Sequence, residues 1–166
     1  MNVHLVASRV LPFAPEVVWS KIRDFNGLPD WHQMIASSSI ETGKSGDQVG
    51  AVRNFFTHDG GNIREQLLAL DDHRFVIAYN ILQSDMGVSN YIAEVSLQRV
   101  TSDNSTFAVW TAKFDCASEK EQELKQFIGD AVFQGGLANL HDVLCKGNEL
   151  LARTVNGGEL GTSVAE

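Results

Sequence analysis

The chain is poor in positive charge. Its 13 Lys and Arg are outnumbered by 21 Asp and Glu, for a formal net charge of −8, and nowhere do the basic residues cluster. A nucleic-acid groove and an anionic membrane surface both need a basic stripe, so neither is an expected partner. Long apolar runs are missing too. None approaches the roughly 18 residues of a membrane-spanning helix, so no integral membrane association is expected. Cysteines are scarce: Cys116 and Cys145 are the only two. Two cysteines build no disulfide framework, and both are expected to be reduced. The first residues read as strand, not as a basic segment followed by an apolar one, so a cytoplasmic location is expected.

Recognisable catalytic strings are absent as well. The chain has no G-x-S-x-G elbow, no phosphate-binding G-x-x-x-x-G-K and no G-x-G-x-x-G after a strand, so covalent catalysis and nucleotide binding lack support. The five histidines, His4, His32, His58, His73 and His141, stand far apart. His141 and Cys145 lie one helical turn apart but have no further partner. Neither a metal nor a cofactor is expected. With 166 residues and 43% hydrophobic content, the chain is long and apolar enough for one domain with a real core.

Val3 to Leu11 reads as a strand ended by Pro12. Pro15 suits the first turn of a helix carrying Val18, Trp19, Ile22 and Phe25. Pro29 opens a second short helix with Trp31 and Ile35, and Trp19 and Trp31 are expected to pack these helices against the sheet end. From about Ser38 to Asp115, turn clusters at Gly43–Asp47, Asp59–Gly61, Asp71-Asp72, Ser84–Gly87 and Ser102–Asn104 separate six strands. Ser118 and Glu121 have the spacing of a capping box and open a long helix to about Cys145. Residues 1–146 then form one α+β domain with a seven-stranded antiparallel sheet, and residues 147–166 a tail.

The turn centres predict register. A hairpin centred on Asp59 sets Arg53 opposite Glu65. The next two, centred on Asp72 and Asp85, set Glu65 opposite Tyr79 and Tyr79 opposite Tyr91. Since a face repeats every second residue, Phe55, Leu67, Ile77, Ile81, Ala93 and Val95 share an apolar face. Asn54, Arg64, Gln66, Asn80 and Glu94 share a solvated one. The row Arg53–Glu65–Tyr79–Tyr91 interrupts the apolar face. On the last helix Leu124, Phe127, Ile128, Ala131, Gly135 and Ala138 form one stripe whose later part is small, with Phe133, Leu137, Leu140 and Leu144 on the other side. The small stripe implies either close backbone approach or room for a ligand.

A buried carboxylate and guanidinium must pair. Arg53 and Glu65 therefore either orient a polar group of a ligand, helped by Tyr79 and Tyr91, or simply lock the register. Glu65 would act as a base only if burial raised its pKa, which Arg53 opposes. Pairing of Val95 with Trp110 aims Trp110 inward, as a stacking surface or as core. Phe114 on the same strand joins it. Phe55, Ile77 and Ile81 from the sheet, with Ile128, Ala131 and Gly135 from the helix, complete the expected wall. The Thr57–Gly61 turn, the Leu82–Val88 loop with Met86, and the link into Ser118 should meet at one end and form the mouth.

The element order and several strings resemble the SRPBCC, or START-like, superfamily and its polyketide cyclase/dehydrase-like group. The strings are Val18-Trp19-Ser20-Lys21-Ile22-Arg23-Asp24-Phe25 with Trp31, Val49-Gly50-Ala51-Val52-Arg53, Arg64-Glu65-Gln66-Leu67-Leu68-Ala69-Leu70-Asp71-Asp72, Val109-Trp110 with Phe114, and Gly136-Leu137. The resemblance spans roughly Val3 to Leu144. It implies the helix-grip fold: a curved sheet gripping the final helix around an apolar cavity. It also implies a small hydrophobic, lipid- or polyketide-like ligand, bound by a monomer or homodimer. A cyclase- or dehydratase-like enzyme and a ligand-gated interaction module are the alternatives.

Overall fold

The computed structural model describes residues 2–41 and 43–157. Strand β1 (Asn2–Leu11) is followed by helix α1 (Pro15–Ile22) and one 3-10 turn (Leu28–Asp30). Six strands follow in sequence: β2 (Ile35–Ile40), β3 (Val52–Thr57), β4 (Asn62–Asp71), β5 (Val76–Gln83), β6 (Val88–Val100) and β7 (Ser105–Cys116). They form one seven-stranded antiparallel sheet in the order β1-β7-β6-β5-β4-β3-β2. The last helix begins with a 3-10 turn (Ser118–Lys120), continues as α2 (Glu121–Gln126), passes through a π-helical segment (Phe127–Gln134) and ends as α3 (Gly135–Gly157). It therefore runs well past Cys145. The remaining tail, residues 158–166, lies outside the described residues.

Register follows expectation in two places and shifts in two. Arg53 faces Glu65, and Val95 faces Trp110. Tyr79, however, lies opposite Leu67 and Ala93, and Glu65 opposite Ile81. The β5–β6 hairpin is centred on Met86 rather than Asp85, and the shift of β5 against β4 comes from the turn between them. Asp71 Oδ1 accepts from the backbone N–H of His73 and Arg74, each at 3.0 Å, and Phe75 closes the turn at φ 57°. That turn alone would displace β5 by an odd number of residues and invert its faces. A bulge between Leu67 and Ala69 removes one residue from the ladder, so the shift becomes even and the apolar face survives. A second bulge, between Ser89 and Ile92 with Asn90 at φ 50°, lets Val88 and Tyr91 both point inward.

Two expectations about helices fail for local reasons. The stretch from Pro29 makes only the single 3-10 turn, and Ile35 already belongs to β2. The capping box does not form, because the extended residue flanking the first turn is Ala117 and Ser118 already sits inside that turn.

The expected helix stripe is also wrong beyond Ile128. The buried residues are Leu124, Ile128, Phe133, Leu137, Leu140 and Leu144, whereas Ala131 is exposed and Phe127 is 39% exposed. A π-helical segment spends one extra residue per turn, so the step from Ile128 to Phe133 is five and the inward face moves over. The loop before β2 is bonded to this segment. His32 Nε2 donates to Val132 O at 2.9 Å, and Gln33 Nε2 donates to Ala131 O at 3.1 Å. Asn139 Nδ2 donates to Trp31 O at 2.7 Å.

The small stripe thus serves close approach. A Cβ on Gly136 would lie 2.7 Å from His32 Cδ2 and 3.1 Å from Trp110, and one on Gly135 would lie 2.5 Å from Gln33 Nε2. We expect Gly136→Ala to destabilise the protein by about 1–3 kcal/mol, because ring atoms must move. Gly147→Ala meets nothing within 4 Å and should be neutral or stabilising by up to about 1 kcal/mol. Urea unfolding of the two variants checks the contrast.

Candidate functional site

Between the concave face of the sheet and the π-helical segment lies a chamber of about 60 Å³. Its apolar wall comes from Leu28, Ile35, Phe55, Ile81, Trp110, Ile128 and Val132, and its polar groups are His32, Arg53, Glu65, Tyr79 and Tyr91. An outer vestibule of about 210 Å³ shares Met34, Thr57, Ile63, Met86 and Phe127 with the chamber and adds Asp59, Gly61, Asn62 and Asp85. The mouth therefore combines the β3–β4 turn and the β5–β6 loop, as the meander implied. Its third side is Phe127 and Met34 rather than the link into Ser118.

The alternation of β3 and β4 turns Arg53 and Glu65 inward, where they are 5% and 6% exposed. Arg53 donates from Nε to Glu65 Oε2 at 2.7 Å, its Nη2 lies 2.6 Å from the same oxygen, and Nη1 donates to Phe25 O at 2.9 Å. The guanidinium also lies 4.1 Å from the Phe25 ring centroid and 4.9 Å from that of Tyr79. The pair thus joins two strands to the turn after α1. Burial pushes the Glu65 carboxyl up, with Arg53 opposing it. Both tyrosine hydroxyls are held neutral, burial being the main cause in each case. Trp110 Nε1 donates to the Tyr79 hydroxyl at 3.0 Å, and Trp110 stacks on Phe133 at 4.5 Å.

Of the residues expected at the site, Arg53, Glu65, Tyr79, Tyr91, Trp110, Phe55, Ile81 and Ile128 converge on the chamber. Four do not. Ile77 lines a separate pocket of about 20 Å³ behind Arg53 and Tyr79. Phe114 backs Tyr91, its ring stacked at 5.7 Å. Ala131 is turned outward by the π-helical shift, and Gly135 is taken up by the approach of Gln33.

Among the chamber's polar groups, His32 is the one that sequence reasoning missed. Nothing in its local string marks it as buried, and only the loop's docking onto the helix encloses it. Its Nδ1 accepts from Met34 N at 3.3 Å, so Nε2 carries the proton given to Val132 O. Burial lowers its pKa from 6.5 to about 4. Trp31 packs beside His32 and Trp110, whereas Trp19 Nε1 donates to Asp72 at 2.7 Å. His141 and Cys145 touch at 3.7 Å, and no group of three metal-binding side chains occurs among the described residues.

Two measurements probe these polar groups. Removing either Arg53 or Glu65 alone should cost about 3–5 kcal/mol, since the survivor is a stranded buried charge. Arg53→Met with Glu65→Leu should recover most of that loss in denaturant unfolding. His32 binds its proton more weakly folded than unfolded, so its contribution is intact above pH 6.5 and is lost as pH falls toward 4. The loss is on the order of 3 kcal/mol, and His32→Gln should flatten that part of the stability–pH curve.

Residues 2–144 match the family model described as polyketide cyclase / dehydrase and lipid transport. The chain is 29% identical over 132 residues to the abscisic acid receptor PYL10 of Arabidopsis thaliana, spanning 76% of this chain and 71% of the receptor. Among solved structures it is similar to XoxI from Bacillus cereus, at 26% identity and a TM-score of 0.77 over 88% of this chain and 98% of that one. Norcoclaurine synthase from Thalictrum flavum, in complex with a transition-state analogue, shares the fold alone. There the identity is 14% and the TM-score 0.66, over 88% of this chain and 93% of that one. With the match running over nearly the whole described domain, the chain belongs to the polyketide cyclase / dehydrase and lipid transport family.

Proposed function

We propose that this protein binds a small hydrophobic or aromatic molecule, whose inner end occupies the chamber and whose outer part fills the vestibule. The observation that carries this reading is a largely apolar chamber that adjoins an outer vestibule and contains a few converging polar groups. Such a combination orients a ligand while its apolar surface supplies the affinity. The chamber alone is smaller than the roughly 150 Å³ of a cavity that holds benzene. Uptake therefore involves movement of Met34, Met86 and Phe127. Methionine, with three rotatable bonds, suits that role. Membership of a family described by cyclisation, dehydration and lipid transport supports a small-molecule ligand, and the relative named as an abscisic acid receptor does the same.

Binding fits the geometry better than catalysis. A general base must take up a proton, and the Arg53 guanidinium beside Glu65 favours its charged form and opposes that step. The neutral probe N-phenyl-1-naphthylamine, bright in apolar surroundings, tests the reading. The wild-type protein should take it up. Met86→Lys at the mouth should weaken uptake about tenfold or more, whereas Gln98→Lys on the convex face should leave it unchanged. Equal effects, or no uptake by the wild-type protein, would count against a ligand chamber at that end.

A further inference from the structure

We infer that the molecule taken into the chamber presents a hydroxyl to Glu65 and Tyr91, and is a neutral alcohol or phenol at its buried end rather than a carboxylate or an amine. This rests on the binding reading above and adds the chemistry of the ligand. Charge comes first. Among the described residues Arg53 is the only Lys or Arg lining either the chamber or the vestibule, and Glu65 already neutralises it. Its hydrogen bonds run to Glu65 and to Phe25 O, and the rings of Phe25 and Tyr79 lie against it. A ligand carboxylate would place a second buried anion beside one shared cation, after passing Asp59 and Asp85 in the vestibule. A lone buried charge is too costly for that to succeed. A ligand ammonium fares no better inside, because Glu65 is already paired with a cation.

Hydrogen bonding then selects among neutral groups. Glu65 and Tyr91 are each 6% exposed and both line the chamber. The bonds to Glu65 fall on Oε2, leaving Oε1 as an acceptor without a hydrogen-bond donor among the described residues. The Tyr91 hydroxyl has no such partner either, yet it is not among the fully enclosed polar atoms that lack one. It is therefore reached from the open chamber. The Tyr79 hydroxyl accepts from Trp110, which leaves its own proton to give. One acceptor beside hydroxyl donors is the complement of a group that both donates and accepts. A hydroxyl donates to Glu65 Oε1 and accepts from a tyrosine. A ketone or ether would satisfy the tyrosines and leave the carboxylate oxygen dry and unpaired, a penalty that a site built around a hydroxyl imposes on analogues lacking it.

A matched series on one ring system separates the cases: naphthalene, 2-naphthol, 2-naphthoate and 2-naphthylmethylammonium. Affinities are read at pH 7.5 by quenching of tryptophan fluorescence and by calorimetry on the full chain. We expect 2-naphthol to bind at least tenfold more tightly than each of the other three. Tyr91→Phe keeps the ring stacked on Phe114, and should cost 2-naphthol about tenfold while leaving naphthalene unchanged. If 2-naphthoate or the ammonium matches 2-naphthol, or if 2-naphthol gains nothing over naphthalene, the hydroxyl assignment is overturned and the chamber reading stands. A 2-naphthol preference that survives Tyr91→Phe overturns the role given to Tyr91. Binding of none of the four overturns the chamber reading, and this inference with it.

Discussion

The Arg53–Glu65 pair is the constraint on which the rest of this structure depends. Two charges withdrawn from water must be satisfied by each other and by nearby dipoles, and here one guanidinium does three things at once. It pairs β3 with β4, caps the carbonyl of Phe25 after α1, and lies against the Phe25 and Tyr79 rings. Such a pair adds little net stability over an apolar replacement, but it tolerates only one arrangement of its neighbours. That arrangement leaves one carboxylate oxygen and the tyrosine hydroxyls turned to the chamber. Structural pairing thus occupies Oε2 and leaves Oε1 for the role proposed above.

The roof of the chamber has its own logic. A continuous α-helix would carry Ala131 and Gly135 inward. The π-helical segment instead brings Phe133 against Trp110 and turns carbonyls of Ala131 and Val132 toward the loop that carries His32 and Gln33. Gly135 and Gly136 let that loop approach to contact distance. Phe127, the first residue of the segment, stands at the mouth beside Met34 and Met86. The irregular part of the helix is thus also the part nearest the opening, where packing is least regular and side chains have somewhere to go.

Relatives with the same fold include a protein named as a receptor and one named as a synthase, so the fold does not choose between binding and catalysis. That choice falls to individual side chains. In this chain the buried acid is engaged with its arginine through Oε2, and the binding reading proposed above rests on that pairing.

The sequence by itself determined the sheet, its two faces and the pairing of Arg53 with Glu65. Those follow from period-two alternation between turns that glycine and aspartate mark clearly. It also determined that Arg53, Glu65, Tyr79 and Tyr91 all lie on the apolar face, although not as one row, because Glu65 stands opposite Ile81 and Tyr79 opposite Leu67 and Ala93. The β4–β5 turn departs from one centred on Asp72, yet the bulge at Leu68 keeps the parity, and with it the face of Tyr79. Only the tertiary structure decided the inward face of the last helix, because a π-helical turn leaves no mark in the spacing of apolar residues until the helix meets its loop. It also decided that Ile77 and Phe114 stand behind the chamber rather than in it, and that His32 is enclosed. These depend on the distance between elements remote in sequence, such as Gly136 against His32, and alternation carries no information about distance.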